Sequence, residues 1–139
     1  MANPLPFSSG DVLTAADMND IGTWTNYTPT ITSVTGSITS YTVNFAHYVQ
    51  INKLVIVEMD IKITNAGTGA IMLATLPVPP VSASGTGYVY GRENAVVGYS
   101  LNGRFQSGTP IRLLVHTYNN GNPVVTNYQN LVTCIYEAA

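Results

Sequence analysis

The stretch from Tyr41 to Thr64 constrains the fold of this chain more than any other, because the residues of its second half, 55–64, alternate between two faces of which one is entirely apolar. Alternation with a period of two is typical of a β-strand that buries one face. The apolar positions of its second half are Val55, Val57, Met59, Ile61 and Ile63. Asn52-Lys53 precedes them and is suited to a tight turn. The pattern therefore predicts a long β-hairpin with one buried face.

Similar short apolar segments, separated by turn residues, continue from Thr23 to the C-terminus. Asn102-Gly103 and Asn120-Gly121 are the strongest turn signals, because Asn and Gly both tolerate positive φ. The remaining predicted strands are Thr30–Val34, Ser37–Phe45, Ile71–Leu76, Tyr88–Arg92, Ala95–Leu101, Ile111–Tyr118 and Leu131–Tyr136. Turn signals at this spacing favour a mainly β domain over residues 23–139, a β-sandwich or jelly roll of about eight antiparallel strands.

The first 22 residues have a different composition and predict a separate N-terminal docking arm with one short helix. Residues 1–10 contain two prolines and a Ser-Ser-Gly run, which favour an extended conformation. Residues 11–21 predict a helix, in which Thr14 and Asp17 have the spacing of a capping box and Gly22 follows the end. A helix of about two turns is not stable alone and must pack on another surface.

Charge is scarce in this chain, since only 9% of its residues are Asp, Glu, Lys or Arg. Its polar character comes from neutral residues, including 17 Thr and 13 Asn, and a surface of this kind loses little when a partner desolvates it. A net charge of -2 argues against nucleic acid as a partner. The sequence contains no long apolar run and no signal peptide. We therefore expect that the protein is synthesised in a cytoplasm and that it does not insert into a membrane.

Catalytic and metal-binding patterns are weak throughout the sequence, and we expect no enzyme activity, no cofactor and no metal. Neither histidine, His47 or His116, has a second ligand at metal-binding spacing. Glu58 and Asp60 share one strand face, but cross-strand ion pairs to Lys62 or an arginine explain them better than glycoside hydrolysis. The single cysteine, Cys134, lies among apolar residues and is predicted to be a buried, inert thiol.

Several segments resemble bacteriophage tail and fibre proteins, in matching order along the first half of the chain. Gly10–Asn19 is similar to their "G-x-x-L-T-A-x-x-N" segment, with one additional residue before Asn19, and Thr23–Thr30 resembles the "W-x-x-Y-x-P" start of their β-domains. Tyr48–Val55 looks like their "Y-x-x-x-G-K-x-V", with Asn52 in place of glycine, and Leu76-Pro77 matches the "L-P" that follows. Asn can replace glycine there because it also adopts the left-handed conformation.

This resemblance implies a structural protein on the virion surface, often a homotrimer, that contacts other virion proteins such as major capsid or tail proteins. The chain has a short arm and no long shaft before its β-domain, which favours a capsid decoration (cement or head-fibre) protein. One alternative is a tail-fibre or tail-tip receptor-binding protein that contacts host surface polysaccharide. A second alternative is a free carbohydrate-binding module. The expected location is the virion surface, after synthesis in the host bacterial cytoplasm.

Two sets of residues are candidate contact sites under these hypotheses. The predicted virion-docking residues are Leu5, Phe7, Leu13, Thr14, Asp17, Met18 and Ile21. The tyrosines that could provide an exposed platform for a glycan or a protein partner are Tyr88, Tyr90, Tyr99, Tyr118 and Tyr128. Tyrosine suits such a platform because its ring is apolar and its hydroxyl stays hydrated.

Overall fold

The computed structural model describes residues 9–12, 14–84 and 87–139, and these form a mainly β domain with one short helix. The helix α1 is Ala15–Asp20, shorter than the predicted 11–21. The strands are β1 Thr25–Asn26, β2 Ile31–Thr35, β3 Ser40–Ile51, β4 Leu54–Asn65, β5 Ala70–Thr75, β6 Gly87–Glu93, β7 Ser100–Gln106, β8 Arg112–Thr117 and β9 Gln129–Glu137. The predicted fold class is confirmed, with nine strands in one curled antiparallel sheet where about eight were expected.

The predicted central hairpin is present as β3 and β4, which pair along most of their length. Asn52 adopts a φ of 53° in the turn, a conformation that asparagine tolerates. The five alternating apolar residues of β4 are fully buried, so the period of two does mark the core face. Asp60 departs from the pattern: it lies on the opposite face but is only 8% exposed, because Asn44 and Gln129 both donate hydrogen bonds to its Oδ2.

Strand order explains why the sheet must curl. The order is β1-β3-β4-β9-β6-β7-β8-β5-β2, so β1 and β2 lie at opposite edges although they follow each other in the chain. The connecting residues 27–30 reach at most about 18 Å, whereas a flat sheet of nine strands is about 38 Å wide. The edges therefore approach each other, and the backbone N–H of Ile31 on β2 donates to the hydroxyl of Tyr41 on β3 at 3.2 Å.

The curl encloses one apolar core that draws on β2 through β9. Tyr136 crosses this core, where its ring meets Phe105 edge to face at 5.5 Å and its hydroxyl donates to the Val78 carbonyl at 2.8 Å. Cys134 is a buried free thiol, as predicted, and burial raises its pKa to about 12. A thiol with this pKa stays protonated at neutral pH and is a poor nucleophile.

Two neighbouring predictions are wrong, and both errors concern β7. Asn102-Gly103 is not a turn but lies within β7, where Asn102 pairs with Tyr90 and His116. Glycine is required at 103 for close approach, because a Cβ there would lie 2.2 Å from the Leu114 carbonyl oxygen. The predicted strand over 95–101 is mostly loop, and the regular strand begins only at Ser100.

Candidate functional site

Helix α1 begins at a complete capping box formed by Thr14 and Asp17. The Asp17 amide donates to Thr14 Oγ1 at 3.2 Å, and the Thr14 amide donates to Asp17 Oδ2 at 2.9 Å. The Thr14 hydroxyl also donates to the Asp17 carboxylate at 2.6 Å, and these bonds lower the pKa of Asp17. The helix ends before Gly22, which adopts a φ of 81°. The local structure is therefore encoded by the residues of this segment themselves.

No residue of α1 is buried, so the helix packs little on the β-domain. Met18 is 53% exposed, and Ile21 and Trp24 after it are also exposed. Of the predicted docking residues, Thr14 and Asp17 form the cap and Met18 and Ile21 are apolar and accessible. Leu5, Phe7 and Leu13 lie outside the described residues. The helix thus presents apolar side chains that its own domain does not cover.

Tyr88 and Tyr90 are brought together on the outer face of β6. They are 83% and 71% exposed, whereas Val89 between them is buried in the core. Residues two apart on a strand share a face and lie about 6.5–7 Å apart between Cα atoms. The register places Tyr88 opposite Ile135 and Tyr90 opposite Thr133 on β9. These two predicted residues therefore form one exposed aromatic surface.

The other three predicted tyrosines form a second group. The rings of Tyr99 and Tyr118 meet edge to face with centroids 6.1 Å apart, and both are exposed. Tyr128 is partly buried; desolvation raises its pKa, with smaller contributions from Tyr99 and Glu93. The structure therefore divides the predicted platform into a pair on β6 and a group around Tyr99.

The loop that carries Tyr99 is held by a buried carboxylate that the sequence reasoning did not single out for this role. Glu93, at the end of β6, is fully buried. Its two oxygens accept hydrogen bonds from the backbone amides of Ala95, Val96, Val97, Gly98 and Gln129, at 2.7–3.1 Å. Burial alone would raise the pKa of Glu93, but these amide donors outweigh it and lower the pKa to about 2. The carboxylate thus replaces the strand pairing that residues 95–99 lack.

A histidine between two aromatic rings forms a further exposed cluster near β1. The ring centroid of His47 lies 4.3 Å from that of Trp24 and 5.2 Å from that of Phe45. His47 Nε2 is 3.1 Å from Glu58 Oε2, so Glu58 pairs across the strands with a histidine. The sequence instead predicts an ion pair between Glu58 and Lys62 or an arginine. Alternation along β3 and β4 could have indicated this pair, since both residues occupy the outer face.

A shallow groove of about 310 Å³ crosses the outer face where β4, β9 and β6 meet. We call it the outer groove, and it is lined by Lys53, Leu54, Tyr88, Ile135, Tyr136 and Glu137. Leu54 lies opposite Glu137, and Ile135 lies opposite Tyr88, so the groove follows the strand register. The surface is mostly apolar with one cation and one carboxylate.

Neither a metal centre nor a membrane-spanning helix is present in the part of the chain that the structure describes. Within residues 9–12, 14–84 and 87–139, no three His, Cys, Asp or Glu side chains are grouped so that they could hold a metal ion. In the same ranges, no helix has the length and apolar character needed to cross a bilayer.

We compared the chain with protein-family models, curated proteins and solved structures, and none of them matched it.

Proposed function

We propose that this chain is a structural protein of the bacteriophage virion surface, a capsid decoration protein anchored by residues 1–22. The observation that carries the proposal is the exposed helix α1, which has a complete N-terminal cap but buries none of its residues. The proposed assembly is a homotrimer bound to a major capsid or tail protein. The sequence resemblance of the arm and of the start of the β-domain to phage tail and fibre proteins supports the same function.

The energetics of a short helix support an anchoring role for α1. Six residues form fewer than two turns, and helices shorter than about 12–15 residues are marginal in water. Most of the stability of a protein helix comes from packing of an apolar face. Met18 is 53% exposed and Ile21 is 36% exposed, so each keeps apolar surface available for that packing. A virion protein that covers them would stabilise the helix as it binds.

The β-domain is suited to face away from the particle because it needs no partner to close its core. Its buried apolar residues form one cluster that includes residues from β2 through β9. The end of the chain is also held within the domain, since the amide of Ala138 donates to the Lys53 carbonyl at 2.7 Å. We therefore expect residues 23–139 to fold without the arm.

Deletion of residues 1–22 tests the proposal. The truncated protein is expected to melt cooperatively, because its core is complete, and to lose binding to phage particles that lack the protein. Thermal melting followed by circular dichroism and co-sedimentation with such particles measure the two properties. Normal particle binding by the truncated protein would contradict the proposal, as would failure of the truncated protein to fold.

A matched pair of point variants locates the anchor on α1. Met18→Glu places a charge on the exposed apolar side chain and is expected to weaken co-sedimentation with particles. Asn19→Glu adds the same charge at the next position, which is already polar and exposed, and is expected to bind nearly as well as the wild type. Equal binding by both variants would argue against Met18 as a contact.

A receptor-binding role at the tail is the second candidate, favoured by the high exposure of Tyr88 and Tyr90 and by the Tyr99–Tyr118 pair. These rings could stack on the apolar faces of host surface sugars while their hydroxyls stay hydrated. Replacement of Tyr99 and Tyr118 by serine would then reduce phage adsorption to host cells without changing incorporation into particles. A free carbohydrate-binding module would instead bind polysaccharide and show no binding to particles.

A further inference from the structure

The outer groove lies on the β-domain, and the proposed function does not assign a partner to it. We infer that the outer groove is the surface through which one copy of this chain contacts the next. This inference deepens the proposed function, because it rests on the proposed trimer and names the face that holds the trimer together.

The apolar part of the groove has the composition of a contact surface. Leu54 and Ile135 are 46% and 40% exposed, and both belong to adjacent strands beside the highly exposed Tyr88. Exposed apolar residues grouped in this way mark interaction sites, whereas scattered ones are ordinary. A buried aromatic side chain covers about 150–250 Å², so Tyr88 alone supplies about a quarter of the roughly 800 Å² per partner of a standard interface.

The charges of the groove favour a second copy of this chain as the occupant. Lys53 and Glu137 are exposed and of opposite sign, and they form no salt bridge with each other or with any other described residue. Around a three-fold axis, a surface that carries one charge of each sign meets itself head to tail, so that Lys53 of each subunit faces Glu137 of the next. Such complementarity fixes the relative orientation of two apolar surfaces.

Backbone hydrogen bonds hold the groove in shape before any partner arrives. Besides the Ala138–Lys53 bond, the amide of Val81 donates to the Glu137 carbonyl at 2.9 Å. These bonds attach the end of β9 to the β3–β4 turn on one side and to the loop at residue 81 on the other. Association therefore orders few backbone groups, which lowers its entropic cost.

A charge-swap experiment on the full chain tests this contact. Sedimentation equilibrium of the wild type is expected to give a mass three times that of the 14.8 kDa protomer. Lys53→Glu and Glu137→Lys each place like charges face to face and should each weaken association about tenfold or more. The double variant with both changes restores opposite charges and should recover most of the lost association. Lys62→Glu makes the same charge change outside the groove and should associate like the wild type.

The apolar contribution is tested by a second matched pair. Ile135→Ser removes an exposed apolar side chain from the groove and should shift the protein toward the monomer. Val96→Ser removes a more exposed apolar side chain from the loop at Glu93. This variant should keep the oligomer mass of the wild type. Thermal melting of each variant shows whether it is folded, so that lost association is not confused with unfolding.

The outcomes that overturn the inference are distinct from those that overturn the proposed function. A wild type that is monomeric at micromolar concentration overturns the inference, and so does a double charge variant that stays as weak as the single ones. Either result leaves anchoring by residues 1–22 untouched. A wild type that forms the charge-dependent oligomer but never binds particles supports the inference and refutes the virion role.

Discussion

At the scale of single residues, the buried carboxylate of Glu93 organises a whole loop through hydrogen bonds from five backbone amides. The Glu93→Gln variant keeps the shape of the side chain and one acceptor oxygen. It replaces the other oxygen with an NH₂ group, a donor that faces the N–H donors of the loop. We expect it to lower the free energy of unfolding at neutral pH by about 1–3 kcal/mol. Urea denaturation at pH 7 measures the difference.

The pH dependence of the same carboxylate has a definite sign. The folded pKa is about 2 and the ordinary value is 4.5, so the unfolded state binds a proton more readily. The stabilisation is therefore complete above pH 4.5 and is lost as the pH falls toward 2. Glu93→Gln should remove this part of the acid destabilisation. Glu58→Gln is the control, since its partly exposed pair with His47 should change stability by less than about 1 kcal/mol at pH 7. A full acid dependence in Glu93→Gln would refute the role of this group.

At the scale of an element, α1 has a stable start but no packed face. Thr14→Ala removes the hydroxyl that caps the Asp17 amide and should destabilise the helix by about 1 kcal/mol. Because no residue of the helix is buried, the melting temperature of the β-domain should change little. Backbone chemical shifts of residues 15–20 measure helix content directly.

The control for the cap is Thr14→Ser, which keeps a hydroxyl at the same position. Serine caps helices at least as well as threonine, so this variant should retain the helical chemical shifts. Loss of helix in both variants, or in neither, would show that the capping box is not what holds α1. Under the proposed anchoring role, particle binding should also weaken in Thr14→Ala and persist in Thr14→Ser.

At the scale of the whole molecule, the curl of the sheet depends on contacts between its two edges. Tyr41→Phe deletes the hydroxyl that accepts from the Ile31 amide and leaves that donor unpaired. We expect a loss of about 1 kcal/mol in unfolding free energy and faster hydrogen exchange at the Ile31 amide.

The matched control is Tyr27→Phe. Its hydroxyl is buried without a hydrogen-bond partner among the described residues, so its removal should be neutral or stabilising. Equal losses in the two variants would contradict this account of the curl.

The sequence by itself determined the features that depend on neighbours in the chain. The alternation in β4 identified the core face, and the spacing of Thr14 and Asp17 identified the start of α1. The apolar neighbours of Cys134 indicated a buried thiol, which the structure confirms. In each case a local period or a three-residue spacing is enough, because the contact is made within one element or one face.

Only the tertiary structure decided the features that join distant segments. Asn102-Gly103 has the chemistry of a turn, but β6 and β8 pair on either side and require glycine for close approach. The apolar run after Glu93 looks like a strand, yet its amides bond to a buried carboxylate. The outer groove combines residues some 80 positions apart, such as Leu54 and Ile135, which meet because β9 lies between β4 and β6. Strand order is a matter of long-range pairing, and no local pattern of residues encodes it.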